Sequence, residues 1–156
     1  VKIFTVDLNT WKKKTEAAKR RIRVSASKHV QKRVLLVYKE ALRVSPQWSG
    51  NYAYNWQIEF SHNPNPGYDR RFKADNWKTV YPPKKAGDPV AINAAYDFAK
   101  DLVEQIKWNH KVRLVNPATV APMIEAGTIK LRPENLIPGG KGVIAHLNMK
   151  FNYLGR

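Results

Sequence analysis

The alternation of apolar and polar positions is most regular over residues 11–44, where it predicts one long helix. Ile22, Ala26, Val30, Val34, Val37 and Ala41 recur at steps of three and four and form one apolar face. Lys14, Arg21, Lys28, Lys32, Lys39 and Arg43 recur at steps of seven and four, a basic stripe on nearly the opposite face. No Pro or Gly interrupts the run, and about thirty residues of helix are roughly 50 Å long. Asp7, Asn9 and Thr10 offer caps ahead of it. Pro46 should end it at Val44 or Ser45, because a proline disfavours helical geometry in the residue before it.

The two ends of this helix differ. From Ile22 onward it is amphipathic and can lie on a core. Residues 12–23 are basic all round, with Lys12, Lys13, Lys14, Lys19, Arg20, Arg21 and Arg23. A helix that is polar all round has no core to pack on, so this end projects or bridges to a partner. Lysines near a helix N-terminus also oppose the macrodipole, at about 0.3–1 kcal/mol each when exposed. Either the regular helix starts later, with Thr15 as cap and Glu16 in its first turn, or an anionic partner neutralises this end. The plain alternative is a solvated face.

The rest of the chain has shorter signals. Residues 1–6 alternate weakly, as a short strand would. Ser45-Pro46-Gln47-Trp48-Ser49-Gly50 predicts a tight turn. Tyr52, Tyr54, Trp56, Ile58 and Phe60 then alternate with Asn51, Ala53, Asn55, Gln57 and Glu59, a strand with one aromatic face. Such a row can stack bases, but one strict face is what burial in a sheet requires, and the core reading is favoured. Residues 61–88 form an irregular, proline-stiffened basic loop with Arg70, Arg71, Lys84 and Lys85, a second candidate contact surface, and residues 77–81 suit an edge strand.

Asp88-Pro89 is a good helix start. Ala91, Ala95, Phe98, Leu102 and Ile106 give its stripe, through about Trp108. Residues 111–115 read as a strand and residues 119–126 as a short helix that Gly127 closes. Residues 131–141 are loop. Ile144, Leu147, Phe151 and Leu154 suit a last helix, while Val143, Ala145, Leu147, Met149 and Phe151 suit a strand. The expected architecture is α+β, one domain over 1–156, with the long helix and a second helix on a small, mostly antiparallel sheet.

Charge sharpens this picture. The 156 residues carry 28 Lys+Arg against 12 Asp+Glu, a formal charge of +16. Residues 10–44 alone hold 12 of the basic residues and 2 of the acidic ones. The positive field therefore concentrates on the helix, and favours nucleic acid, an anionic membrane surface or an acidic protein. With no cysteine, disulfides and thiolate metal sites are excluded. No signal peptide or membrane span is expected.

Catalytic chemistry is hard to find. His29, His62, His110 and His146 lack metal-ligand spacing, and His29 suits a surface or interface. There is no HExxH, P-loop or GxSxG pattern. Asp97, Asp101 and Glu104 form the one close carboxylate group, spaced for a solvated helix face beside Lys100 and Lys107 rather than for the metal ions of a nuclease. We expect no enzyme, metal or cofactor.

Two blocks carry a resemblance. The first is the basic helix ending in Ser45-Pro46-Gln47-Trp48-Ser49-Gly50-Asn51-Tyr52, followed by Trp56. The second is Val112-Arg113-Leu114-Val115-Asn116, then Ala121, Ile124-Glu125-Ala126-Gly127 and Arg132-Pro133. In order and spacing the chain resembles the tail-completion and head–tail connector (neck) proteins of tailed bacteriophages. In that family a helix precedes a Pro-x-x-Thr-Gly-x-Leu turn, and an Asn, a Tyr-Ala pair and a Glu-x-Gly follow. Here Ser49 stands in place of Thr, Tyr52 in place of Leu and Val120 in place of Tyr. The resemblance implies a ring subunit of the virion, commonly six-fold, between portal or adaptor and tail proteins, through which the genome passes. It marks Pro46, Gly50, Tyr52, Asn116, Glu125 and Gly127 as pattern residues. Gly50 suits a turn open to positive φ, and Glu125 suits either a bridge between subunits or a solvated helix end.

Contact with an acidic neighbour or with DNA phosphates would fall on Lys12, Lys13, Lys14, Arg20, Arg21, Arg23, Lys28 and Lys32. The alternative function is a small, free, basic nucleic-acid-binding protein.

Overall fold

The first helix, α1, spans Leu8–Val44 in a computed structural model that describes residues 7–46, 51–61, 89–131, 133–140 and 142–151. It starts before Lys12, so the later start at Thr15 does not occur. Asp7 caps it, accepting from the backbone N–H groups of Asn9 and Thr10 at 3.0 and 3.2 Å and from the Thr10 hydroxyl. These bonds, the Thr10 hydroxyl foremost, hold the Asp7 carboxyl below its usual range. Thr15 instead bonds the Trp11 carbonyl at 2.9 Å, inside the helix. The far end stops at Ser45, whose ψ of 133° is the extended geometry that a following proline imposes.

Two short elements follow: the helical turn α2 (Asn51–Tyr54) and the strand β1 (Gln57–Phe60). This corrects the strand expected from Tyr52 onward. Tyr52 and Trp56 are four residues apart, which suits a helical face as well as alternation. Their rings meet edge to face at 5.9 Å and 82°, both buried. The Tyr52, Trp56, Ile58 and Phe60 side chains are core, as sheet burial had suggested, and not a free stacking platform. Asn55 and Gln57 are buried with them, so the alternation is not a clean inside–outside pattern.

The helix α3 (Pro89–Glu104) ends four residues short of Trp108. Its buried stripe is Ala95, Ala99 and Val103, with Phe98 52% exposed, so the face is turned from the one expected. Two alanines on that stripe let α3 approach α1, α2 and β1 closely. The strand β2 (Val112–Val115) pairs antiparallel with β1, with Gln57 opposite Val115 and Phe60 opposite Val112. Across this pair Arg113 meets Glu59 at 3.1 Å. The fold is therefore α+β, with the long helix and α3 against a small antiparallel sheet.

The short helix α4 (Ala121–Glu125) closes at Gly127, which has φ 69°. The Thr128 N–H reaches back to the Met123 carbonyl at 3.0 Å, the wrapped end that a left-handed residue allows. A 3-10 turn at Pro133–Asn135 interrupts the expected loop. The last segment is helical, α5 (Val143–Phe151), packed on α1 and α4 with Val143 and Leu147 buried. The expected strand at 1–6, the turn at 47–50, the loop from 62 onward and Leu154 lie outside the described residues.

The core sits under the C-terminal half of α1, at Tyr38, Ala41, Leu42 and Val44. Tyr38 directs its hydroxyl to the carbonyls of Trp56 and Ala95 at 3.0 and 3.1 Å, linking three segments. Ser45 donates to the Ala41 carbonyl at 2.6 Å and accepts from the Trp56 indole at 2.7 Å.

Candidate functional site

Of the N-terminal eighteen residues of α1, 8–25, Thr15 alone is half-buried and the rest are exposed. At 1.5 Å per residue this arm extends about 27 Å. It carries Lys12, Lys13, Lys14, Lys19, Arg20, Arg21 and Arg23 against Glu16 alone, and Glu16 is paired with Lys19 at 2.9 Å. It also exposes Leu8, Trp11, Ile22 and Val24, with Ile22 at 68%. Ile22 therefore does not reach the core. The apolar face meets the body from Val30 onward, where Val30, Val34 and Val37 are partly buried against the core.

The predicted basic stripe is real: Lys14, Arg21, Lys28, Lys32, Lys39 and Arg43 are all exposed. Its last two members are committed inside the fold. The Lys39 ammonium lies 4.8 Å from the Tyr96 ring centre, and Arg43 grips Glu40. Arg20, Arg21, Arg23, Lys28 and Lys32 form no ion pair among the described residues, so their charge faces outward.

Where the arm leaves the body, an open groove of about 1070 Å³ runs between α1 and the turn after α3. One wall holds Arg20, Arg23, Val24 and Lys28; the other holds Lys107, Trp108 and Asn109. Side chains of α1 fix the second wall. Gln31 donates to the carbonyls of Glu104 and Ile106 at 3.0 and 2.8 Å, capping the C-terminal end of α3. Ser27 accepts from the Trp108 N–H at 3.0 Å. The sequence does not mark Lys107 and Trp108 as contact residues, because the helical stripe runs on through them. The signal was a Lys-Trp-Asn-His run at a helix end.

Tyr52, Asn116 and Glu125 converge elsewhere, while Gly127 closes α4 two residues after Glu125. The Tyr52 hydroxyl donates to one oxygen of Glu125. The other oxygen accepts from the Ile144 N–H at 2.9 Å, at the start of α5. Asn116 donates to the Tyr52 carbonyl at 2.9 Å and accepts from the Ala118 N–H at 3.1 Å. Burial, then the Glu125 carboxylate, pushes the Tyr52 phenol far above its ordinary value, so it stays a neutral donor. Glu125 is half-buried and engaged twice within the chain, so it is not a free, solvated helix end. Pro46 is buried behind α1. Gly50, Arg70, Arg71, Lys84 and Lys85 lie outside the described residues.

A third cluster had no sequence signal. Glu40 is buried in the basic stripe's own helix, its side chain 8% exposed. It accepts from Arg43 through two nitrogens at 2.8 and 2.7 Å, and meets Lys150 at 2.8 Å and His146 at 2.9 Å. Arg43 foremost, then Lys150 and His146, outweigh burial and hold its carboxyl well below the usual range. This cluster clamps α5 onto α1.

Among the described residues no group of His, Asp and Glu has the arrangement of a metal site, and no helix is long and apolar enough to cross a membrane. His29 is exposed, and Asp97, Asp101 and Glu104 line a solvated face with Asp97 near Lys100 at 3.5 Å. No known protein family, curated protein or solved structure matches the chain.

Proposed function

We propose that this chain is a non-enzymatic virion protein, a subunit of the neck or tail-completion ring that joins the head of a tailed phage to its tail and lets the genome pass. The observation that carries the reading is the convergence of the resemblance pattern. Tyr52, Asn116 and Glu125 are spread over seventy-three residues, yet they form one hydrogen-bonded network that ties α2, the end of β2, α4 and α5 together. A pattern that builds a scaffold, rather than lining a cleft, suits a structural subunit.

The arm supports the same reading. Its apolar residues have no surface to cover within the described part of the chain, and a neighbouring subunit or an adaptor would give them one. Ring assembly, partners at the portal and tail, and residence in the particle follow from the resemblance as parts of this proposal.

The test is quantitative mass spectrometry of purified particles from the producing culture. The expected result is a small fixed ratio of this chain to the portal subunit, consistent with one ring. Absence from intact particles overturns the reading. The cation-lined groove favours a second reading, a free nucleic-acid-binding protein. That protein would bind nucleic acid tightly alone and never at fixed copy number on a particle.

A further inference from the structure

We propose that the groove between α1 and the turn after α3 binds a single strand of nucleic acid, with its phosphates on Arg20, Arg23, Lys28 and Lys107 and a base against Trp108.

The cations come from two places in the chain and meet in one concavity. Arg20 and Arg23 follow helical spacing with Ser27 and Gln31, so they share the face of α1 that looks into the groove. Lys107 stands on the opposite wall. Among the described residues none of the four cations is in an ion pair, and the one carboxylate in the lining, Glu16, is already matched by Lys19. A concave surface lined by one sign of charge focuses its potential on whatever enters. That potential calls for a polyanion.

The groove discriminates among polyanions through its aromatic wall. Trp108 is 49% exposed, although its indole is large and apolar. It is held there by the Ser27 hydroxyl and by the two Gln31 bonds on the residues before it. An acidic peptide needs cations but makes no use of a fixed indole. A strand with unpaired bases uses both, since every base offers a π-face. A paired duplex hides those faces, which makes the single strand the better fit.

Lys28 links this groove to its surroundings. It also lines a trough with Arg20 and Arg21, and another with Lys32 and Lys100. The positive track therefore continues through Arg20 and Arg21, whereas on the other side Glu104 shares the trough and Lys100 pairs with Asp97. From Arg20 to Lys28 the helix rises about 12 Å. This inference rests on the geometry of the groove and names the ligand class of the nucleic-acid-binding reading, without depending on the neck reading. Particle composition tests one and oligonucleotide binding the other, so each fails separately.

The experiment is fluorescence anisotropy of the full chain with a labelled oligothymidylate and with a duplex of equal length, over a salt series. The strand should bind more tightly than the duplex, and its affinity should fall linearly on a log–log plot with salt. Lys28→Gln with Lys107→Gln should reduce the slope by about 1.4, two contacts' worth for a single strand, and weaken binding about tenfold or more. The charge-matched pair Lys111→Gln with Lys130→Gln, on exposed residues outside the groove lining, should weaken binding less than about threefold. Trp108→Ala should cost about fivefold to a hundredfold without changing the slope, and Trp108→Tyr should restore most of it. Thermal melts of each variant separate lost folding from lost binding, and Trp108→Tyr keeps the test open if Trp108→Ala unfolds. Equal losses in the two lysine pairs would overturn the proposal. So would indifference to Trp108, a duplex bound as tightly as the strand, or displacement of the strand by polyglutamate at equal charge.

Discussion

Glu125, at the end of α4, holds the Tyr52 hydroxyl with one carboxylate oxygen and the first turn of α5 with the other. One side chain thus supplies the cap that α5 lacks locally, and it satisfies a phenol that is 3% exposed as a residue. Glu125→Ala should therefore remove a helix cap and strand a buried hydroxyl together. The expected cost is about 2–4 kcal/mol, from about 1 for the cap and 1–3 for the unsatisfied group. Tyr52→Phe, which leaves no orphan hydroxyl, should cost about 1 kcal/mol. Urea unfolding followed by circular dichroism measures both, and equal losses would contradict the capping role.

Gly142 is where the chain passes Glu125. A Cβ there would lie 2.6 Å from the Glu125 Cα and 2.8 Å from its carbonyl oxygen, both backbone atoms that cannot step aside. Gly142→Ala should destabilise by about 1–3 kcal/mol through forced backbone movement. Gly127→Ala meets no atom within 4 Å and pays for its positive φ alone, about 1 kcal/mol. A chemical-denaturation comparison in which Gly127→Ala proves the costlier would refute this ordering.

The Glu40 cluster predicts an acid sensitivity. Its carboxyl titrates lower in the folded protein than its ordinary value of 4.5. The stability it contributes is complete above that value and is lost as pH falls below it. Thermal melts from pH 7 to pH 3 should show a decline beginning near pH 4.5. In Glu40→Gln the decline should be shallower, from a starting stability lower by about 2 kcal/mol. Identical slopes would place the acid response elsewhere.

The basic arm should be dispensable for folding. Changing Lys14, Arg20, Arg21, Arg23 and Lys28 together to Gln should move stability by less than about 0.5 kcal/mol while weakening attachment to the partner. Trp56→Ala, at a fully buried position, should cost about 3–5 kcal/mol. Differential scanning fluorimetry of the two proteins is the check. A loss in the arm variant comparable to that of Trp56→Ala would mean that the arm belongs to the core.

Much of this architecture was legible along the chain. A run of thirty-seven helical residues without Pro or Gly states its own period, and Pro46 marks its end through a local steric clash. The Asp7 cap, the Pro89 start and the Gly127 close are equally local, since each depends on backbone geometry within a few residues. The outward-facing cations of the arm were legible for the same reason: exposure follows where a helix has no apolar face.

What periodicity could not decide were the places where two readings used the same residues. Tyr52 and Trp56 satisfy both a two-residue and a four-residue repeat, and their packing on each other, with the Tyr38 bond to the Trp56 carbonyl, goes with a helical turn before the strand. The α5 segment satisfied both patterns too, and burial of Val143 and Leu147 against α1 and α4 chose the helix. Glu40 is one of two acidic residues on a basic helix, and folding brings His146 and Lys150 to it across more than a hundred residues. Lys107 and Trp108 joined the groove because Gln31 and Ser27 hold their turn against α1. Local backbone preferences act between neighbours and can be read in order. Contacts between distant segments are selected by burial and hydrogen bonding together, and they exist once the chain has closed on itself.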